Sequence, residues 1–169
     1  MRISIHLPHF FLIFAFIMIE DRLTPLISKR FLNEEKYRQG HIRIVNALPE
    51  RRIMGLHLPE MKQVAKELAK EPDVRLLLQR FERIHQANRF ELAYEETLVW
   101  GLTINALKCT LEERLSFLRN YIPVLDNWAV CDSFCCNAKW ALRCQFRIYG
   151  HTCSPIFTAR RSSKCVLPL

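Results

Sequence analysis

Trp128 and Asp132 stand four residues apart in the stretch Pro123-Val124-Leu125-Asp126-Asn127-Trp128-Ala129-Val130-Cys131-Asp132. On a helix that spacing stacks two side chains on one face, so an indole and a carboxylate would point into the same space. An indole face favours a cationic centre, and a carboxylate stabilises developing positive charge. The pair is therefore the candidate site of the chain. A plainer reading stands beside it at this level, with Trp128 in the core and Asp132 a solvated acid or the cap of a following helix.

The elements that must position this pair read as helices. Pro123 is expected to open the helix that bears Trp128 and Asp132. Upstream, Leu23, Leu26, Ile27, Phe31 and Leu32 recur at three and four residues, and Asn33 is expected to cap a second helix from Glu34 to about Leu48. Pro59 falls in the first turn of a helix with the stripe Met61, Val64, Ala65 and Leu68. Pro72-Asp73 closes that helix and caps the next, whose inward residues are Val74, Leu77, Leu78 and Phe81. A longer helix is expected from about Phe90 to Leu107, and Thr110-Leu111-Glu112-Glu113 is a capping box for the one after it. With only four glycines and few alternating β-branched runs, a sheet lacks its usual punctuation. The expected fold is all-α, an array of antiparallel helix pairs of the HEAT-like, ARM-type superhelical kind that is incomplete at its C-terminus; a generic helical bundle is the alternative.

Length and composition bound the rest. The chain has 169 residues, half of them apolar and a quarter charged, which suits one globular domain with a real core. The net charge of +8 invites a nucleic-acid partner, yet it is unevenly placed. All 17 acids lie at or before Asp132, in company with nineteen Lys and Arg, and the residues beyond hold six Lys or Arg and no acid. Most of the basic excess thus belongs to the tail. Six of the seven cysteines fall between Cys131 and Cys165 in no zinc-binding spacing, which points to thiols in a reducing cytoplasm rather than to a metal site or a disulfide framework.

Three segments follow: an apolar N-terminal extension over 1–17, a helical domain over 18–140, and an irregular basic, Cys-containing tail over 141–169. The apolar run Ile3–Ile19 has three readings: a signal peptide, which lacks its small-residue cleavage site; a membrane anchor, which Pro8 and two histidines shorten; and translated upstream sequence ahead of a natural start at Met18. The third is preferred. The tail, with no acids and no sustained stripe, reads as a disordered basic segment or as a loss of reading frame, and the second is preferred.

Three sets of residues carry a resemblance to a known family. They are the Ile53-x-Gly55-x-x-x-Pro59 turn with Met61-Lys62-x-Val64-Ala65-Lys66 after it, the Glu95-Glu96 helix, and above all Asp126-Asn127-Trp128-Ala129-Val130-Cys131-Asp132. Over roughly residues 19–140 the chain resembles the DNA alkylation repair family of AlkD-like DNA glycosylases. The resemblance implies a curved array of HEAT-like repeats whose concave face holds duplex DNA containing alkylated bases. It also implies an enzyme that hydrolyses the N-glycosidic bond of positively charged purines such as 7-methylguanine and 3-methyladenine. No metal or cofactor is implied, and a cytoplasmic monomer with no membrane partner is expected.

By the same resemblance Asp132 matches the catalytic aspartate and Trp128 an aromatic wall of the site. Arg43, Arg51, Arg52 and Lys62 are the expected DNA-binding residues of the rim, although the sequence does not fix their direction. The family's further arginine and tryptophan, from later helices, have no counterpart after Trp140, so little or no turnover is expected of this chain. The alternative function is a non-catalytic helical-repeat scaffold that binds DNA or protein.

Overall fold

A computed structural model describes residues 19–142, and these residues are helical with no strand among them. The apolar run and most of the tail, including the expectations placed on 1–17 and 145–169, lie outside the described residues. After a helical stretch over 19–23 come a 3-10 turn, Thr24–Leu26, and the helices α1 Lys29–Asn33, α2 Glu35–Val45, α3 Leu58–Leu68, α4 Val74–Ala87, α5 Tyr94–Ala106, α6 Leu111–Tyr121 and α7 Trp128–Asn137. The helix α5 lies between α3 and α7, with α4 and α6 packed on it and on each other. This repeat-like stacking is the all-α architecture expected from the sequence. Among the described residues no helix is long and apolar enough to cross a membrane.

The centre of the molecule is α5, buried on every side from Tyr94 to Ile104. A helix apolar all round can only be an interior helix, and its polar side chains must be satisfied within the fold. Thr97 donates to the Tyr94 carbonyl at 2.6 Å and Thr103 to the Val99 carbonyl at 2.7 Å, so neither hydroxyl is orphaned. Glu96 accepts from the Ala93 N–H at 2.7 Å and closes the first turn of its own helix. Glu95, with no exposed surface, accepts from the N–H groups of Met54 at 2.8 Å, Gly55 at 2.7 Å and Leu56 at 3.4 Å. One carboxylate thereby fixes the loop that leads into α3.

That loop also needs Gly55, whose φ is +90° and whose missing Cβ leaves room for the Phe31 ring. On the other side of α5 an aromatic chain crosses four helices. Phe81 stacks on Trp100 at 5.6 Å, Trp100 meets Tyr121 edge-on at 5.3 Å, and Tyr121 packs on Phe134 at 5.0 Å between ring centroids. Such pairs add to the roughly 1.5–3 kcal/mol that each large buried side chain contributes. Gly101 makes the chain possible, because a Cβ there would overlap the Tyr121 phenol.

Several expected helix ends and caps move, each for a local reason. The first apolar stripe is not one helix: Pro25 sits in the 3-10 turn, which leaves Leu26 and Leu32 exposed while Leu23 and Phe31 are buried. Asn33 ends α1 instead of capping α2; Glu34 holds the cap position, with no side-chain cap bond. The left-handed Asn46, φ 49°, stops α2 short of Leu48. The helix expected from Phe90 begins at Tyr94, once the Arg52 carbonyl has accepted the Tyr94 N–H at 2.8 Å. The stripe of α3, Pro59 in its first turn and the Thr110 cap, which accepts from the Glu113 N–H at 3.2 Å, stand as read.

Gly101→Ala should cost about 1–3 kcal/mol, the range for overpacking a closed core, seen as a lower urea midpoint at unchanged m-value. A midpoint equal to the parent's would show that Tyr121 can move aside. A second expectation concerns pH. Burial raises the Glu95 carboxyl above its usual 4.5, against the lowering pull of the backbone N–H groups of Met54, Gly55 and Leu56. The folded state thus holds this proton more tightly than the unfolded chain. Its contribution to stability is complete below pH 4.5 and is lost as pH rises through the raised value. Removing the titration with Glu95→Gln should make the fall of melting temperature with rising pH shallower between pH 4.5 and that raised value, as followed by circular dichroism.

Candidate active site

Trp128 is the first residue of α7, and the helix buries the stripe Val130 and Phe134 against the body. Two residues correspond to about 200° around a helix, so Trp128 and Asp132, each two positions before a member of that stripe, must face outward. Trp128 is 55 % exposed and Asp132 is exposed. Among the described residues the Asp132 carboxylate takes no hydrogen bond or ion pair. The tertiary structure places the indole outside the core and leaves Asp132 a solvent-facing acid that caps no helix.

The start of α7 differs from the expectation. Pro123 lies in a separate 3-10 turn, Ile122–Val124, and the helix begins at Trp128 with Asn127 as its cap. The Asn127 Oδ1 accepts from the Ala129 N–H at 2.7 Å and the Val130 N–H at 3.4 Å. Its Nδ2 donates to the carbonyls of Val45 at 2.8 Å and Asn46 at 2.7 Å, across the molecule at the end of α2. One residue earlier, Asp126 meets the Arg51 guanidinium at 2.6 Å and that of Arg89 at 3.7 Å. The Phe90 ring lies near both cations, 5.5 Å from Arg51 and 4.8 Å from Arg89. His85 is close enough to this group to feel it: burial first, then Arg51, hold its imidazole below the usual 6.5 and so favour the neutral form.

The basic residues expected at the rim separate into different surroundings. Arg51 is a correction: its side chain is 2 % exposed, and it donates to the Leu92 carbonyl at 3.0 Å as well as to Asp126, so it is an internal strut rather than a rim residue. Arg52 is half-exposed and pairs with Glu20 at 2.7 Å and Glu96 at 3.4 Å. Arg43 is exposed in the last turn of α2, the helix end that Asn127 holds against the start of α7. Lys62 lies elsewhere, in an open groove of about 1000 Å³ together with Lys66, Lys108, Lys139, Arg114 and Trp140, a lining that includes neither Trp128 nor Asp132. Arg89 went unnoticed in the sequence, where the break around Asn88 hid it; its position beside Asp126 comes only from the turn before α5.

The Glu95-Glu96 pair and the Gly55 turn, which entered as parts of a resemblance, are thus the scaffold of the loop, whereas Trp128 and Asp132 are surface groups that the scaffold does not use. A family model described as DNA alkylation repair enzyme matches residues 26–143. The chain belongs to the DNA alkylation repair enzyme family. No curated protein and no solved structure matches it. The match takes in α1 to α7 and ends just after Trp140, so the Asn127 cap, Trp128 and Asp132 all lie inside the part that defines membership.

Membership sets the class of work, repair of alkylated DNA by an enzyme. Glu95, Glu96 and Asp126 are committed to internal bonds, while Asp132 is exposed and takes none among the described residues. The commitment of Asp126 has a measurable consequence. Asp126→Ala would leave the buried Arg51 guanidinium short of its anion, and such a loss typically costs about 3 kcal/mol or more. Arg52→Ala, at a half-exposed pair, should cost less than about 1 kcal/mol. Equal losses in parallel denaturant titrations would contradict the internal role given to Arg51.

Proposed function

We propose that this family member is a monofunctional DNA glycosylase, which releases positively charged alkylated purines such as 7-methylguanine and 3-methyladenine from duplex DNA. The observation behind this reading is the outward pair on α7: an exposed indole, and one helical turn further on an exposed carboxylate that takes no bond among the described residues. A solvent-facing carboxylate beside an aromatic face suits a cation.

An N7- or N3-alkylated purine already bears positive charge, so its glycosidic bond breaks with both electrons going to the base. The base leaves neutral and needs no acid to protonate it. The sugar passes through an oxocarbenium-like state, whose charge Asp132 stabilises while it orients the water that adds to C1′ and then loses its proton. Trp128 stacks on the cationic base or sugar. Arg43 and Arg52, the exposed cations near the loop and the end of α2, contact phosphates, and Lys62 does so from the groove it shares with Lys66 and Lys108. The helix pairs form a HEAT-like array working as a monomer in the cytoplasm on duplex DNA.

Because little or no turnover is expected of this chain, the test is single-turnover release of 7-methylguanine from methylated duplex, with protein in excess, by a protein that carries the full helical array the family resemblance implies. Asp132→Asn should slow release by roughly a hundredfold or more, the scale of a lost preorganised charge. Trp128→Ala should slow it by about tenfold. Both variants should keep the parent's helicity and melting temperature, because neither side chain is part of the core. Full release by a folded Asp132→Asn protein would end the catalytic assignment.

A further inference from the structure

Asn127 does more than a helix cap requires. Any of Ser, Thr, Asp or Asn can accept from the N–H groups of a first turn, but Asp has no donor and a hydroxyl has a single O–H on a short side chain, whereas the carboxamide sets two N–H donors beside its acceptor oxygen. Here both capacities are in use. The Oδ1 takes two orphan N–H groups at the start of α7, and the Nδ2 gives to two carbonyls at the end of α2. The opposite orientation of the amide would set its NH2 against two donors, so the surroundings fix it. The side chain is 7 % exposed and bridges positions 81 and 82 residues apart in sequence.

A second tie lies one residue earlier, where Asp126 meets the buried Arg51. The segment 45–51 is therefore fastened to 126–127 at two consecutive residues, one by a neutral amide and one by an ion pair. Two ties close to a helix axis restrain its rotation as well as its position. Rotation matters at this end, since a slip of a single residue turns a helix by about 100°, enough to carry Trp128 from the outward side towards the flank. Trp128 follows Asn127 directly, and Asp132 is one turn beyond.

We infer that Asn127, with the Asp126–Arg51 pair behind it, is a positioning residue that sets the rotation of α7 and so aims Trp128 and Asp132 together at the lesion. This rests on the glycosylase reading for its purpose, although the positioning itself can be measured without DNA. Asn127 touches no substrate in this scheme and acts through the two residues that do.

The experiment replaces Asn127 by Ser, which keeps a capping oxygen and loses the tether to α2. The full chain is labelled with 5-fluorotryptophan, and the fluorine resonance of Trp128 is assigned by its disappearance in Trp128→Phe. In Asn127→Ser the Trp128 resonance should shift or broaden while that of the core residue Trp100 stays in place and helicity is kept. The preference for a duplex containing 7-methylguanine over the undamaged duplex should fall about tenfold in the same variant. An unmoved Trp128 resonance in a folded Asn127→Ser protein would reduce Asn127 to an ordinary cap and overturn the inference. If Asn127→Ser does not fold, Asp126→Asn, which removes only the charge of the second tie, takes its place: a shifted or broadened Trp128 resonance supports the positioning, and an unmoved one overturns it. A parent protein that shows no preference for the lesion, yet whose Trp128 resonance responds to Asn127→Ser, would count against the glycosylase reading and leave the positioning intact.

Discussion

The structure depends on the burial of α5 on all sides, and that burial is tolerable only because the two acids in its first turn are satisfied. A buried carboxylate without partners costs several kcal/mol; Glu95 instead accepts three backbone N–H groups from the loop before α3, and Glu96 closes its own helix. The arrangement works in both directions. The loop supplies the donors that let Glu95 enter the core, and Glu95 supplies the acceptors that a loop lying over the core cannot obtain from water. Gly55 and Phe31 then fit together because the loop is held at one height.

From that loop, order passes outwards to the candidate site. Arg51 is anchored on the Leu92 carbonyl just before α5 and reaches Asp126 just before α7. The aromatic chain from Phe81 through Trp100 and Tyr121 to Phe134 holds the opposite side of α7. The helix that displays Trp128 and Asp132 is thus fixed at its start by polar ties and along its inner face by ring packing. A surface pair on a helix with these constraints has its geometry set before any ligand arrives.

The charge distribution takes a clearer form once the helices are placed. Basic residues counted together in the sequence do separate jobs: Arg51 and Arg114 are buried and bond to backbone carbonyls, Arg114 at the end of α5 to those of Ile104 and Leu107. Lys62, Lys66, Lys108 and Lys139 gather instead around one open groove. An arginine fork can enter the interior when it finds carbonyls and a carboxylate to satisfy it, whereas an ammonium is more strongly hydrated and stays at the surface.

A 3.6-residue period and local caps are enough to specify the helical class, the stripe of α3, the inward residues of α4, the Thr110 cap and the stacking of Trp128 over Asp132, so all of these are legible in the bare chain. The family was legible too, in the residues from Asp126 to Asp132. That Trp128 and Asp132 face outward was not, since either side of a short helix with alternating polar and apolar residues could have been buried until Val130 and Phe134 met α5. Packing made Arg51 internal, started α7 at Trp128 and not Pro123, and left Asn33 capping nothing. Each of these turns on partners 40 or more residues away, or on a chain break whose position local propensity leaves open, as with Arg51 and Leu92 at a separation of 41 and Asn127 and Val45 at 82. Periodicity reports which residues share a face, and packing decides which face is inside.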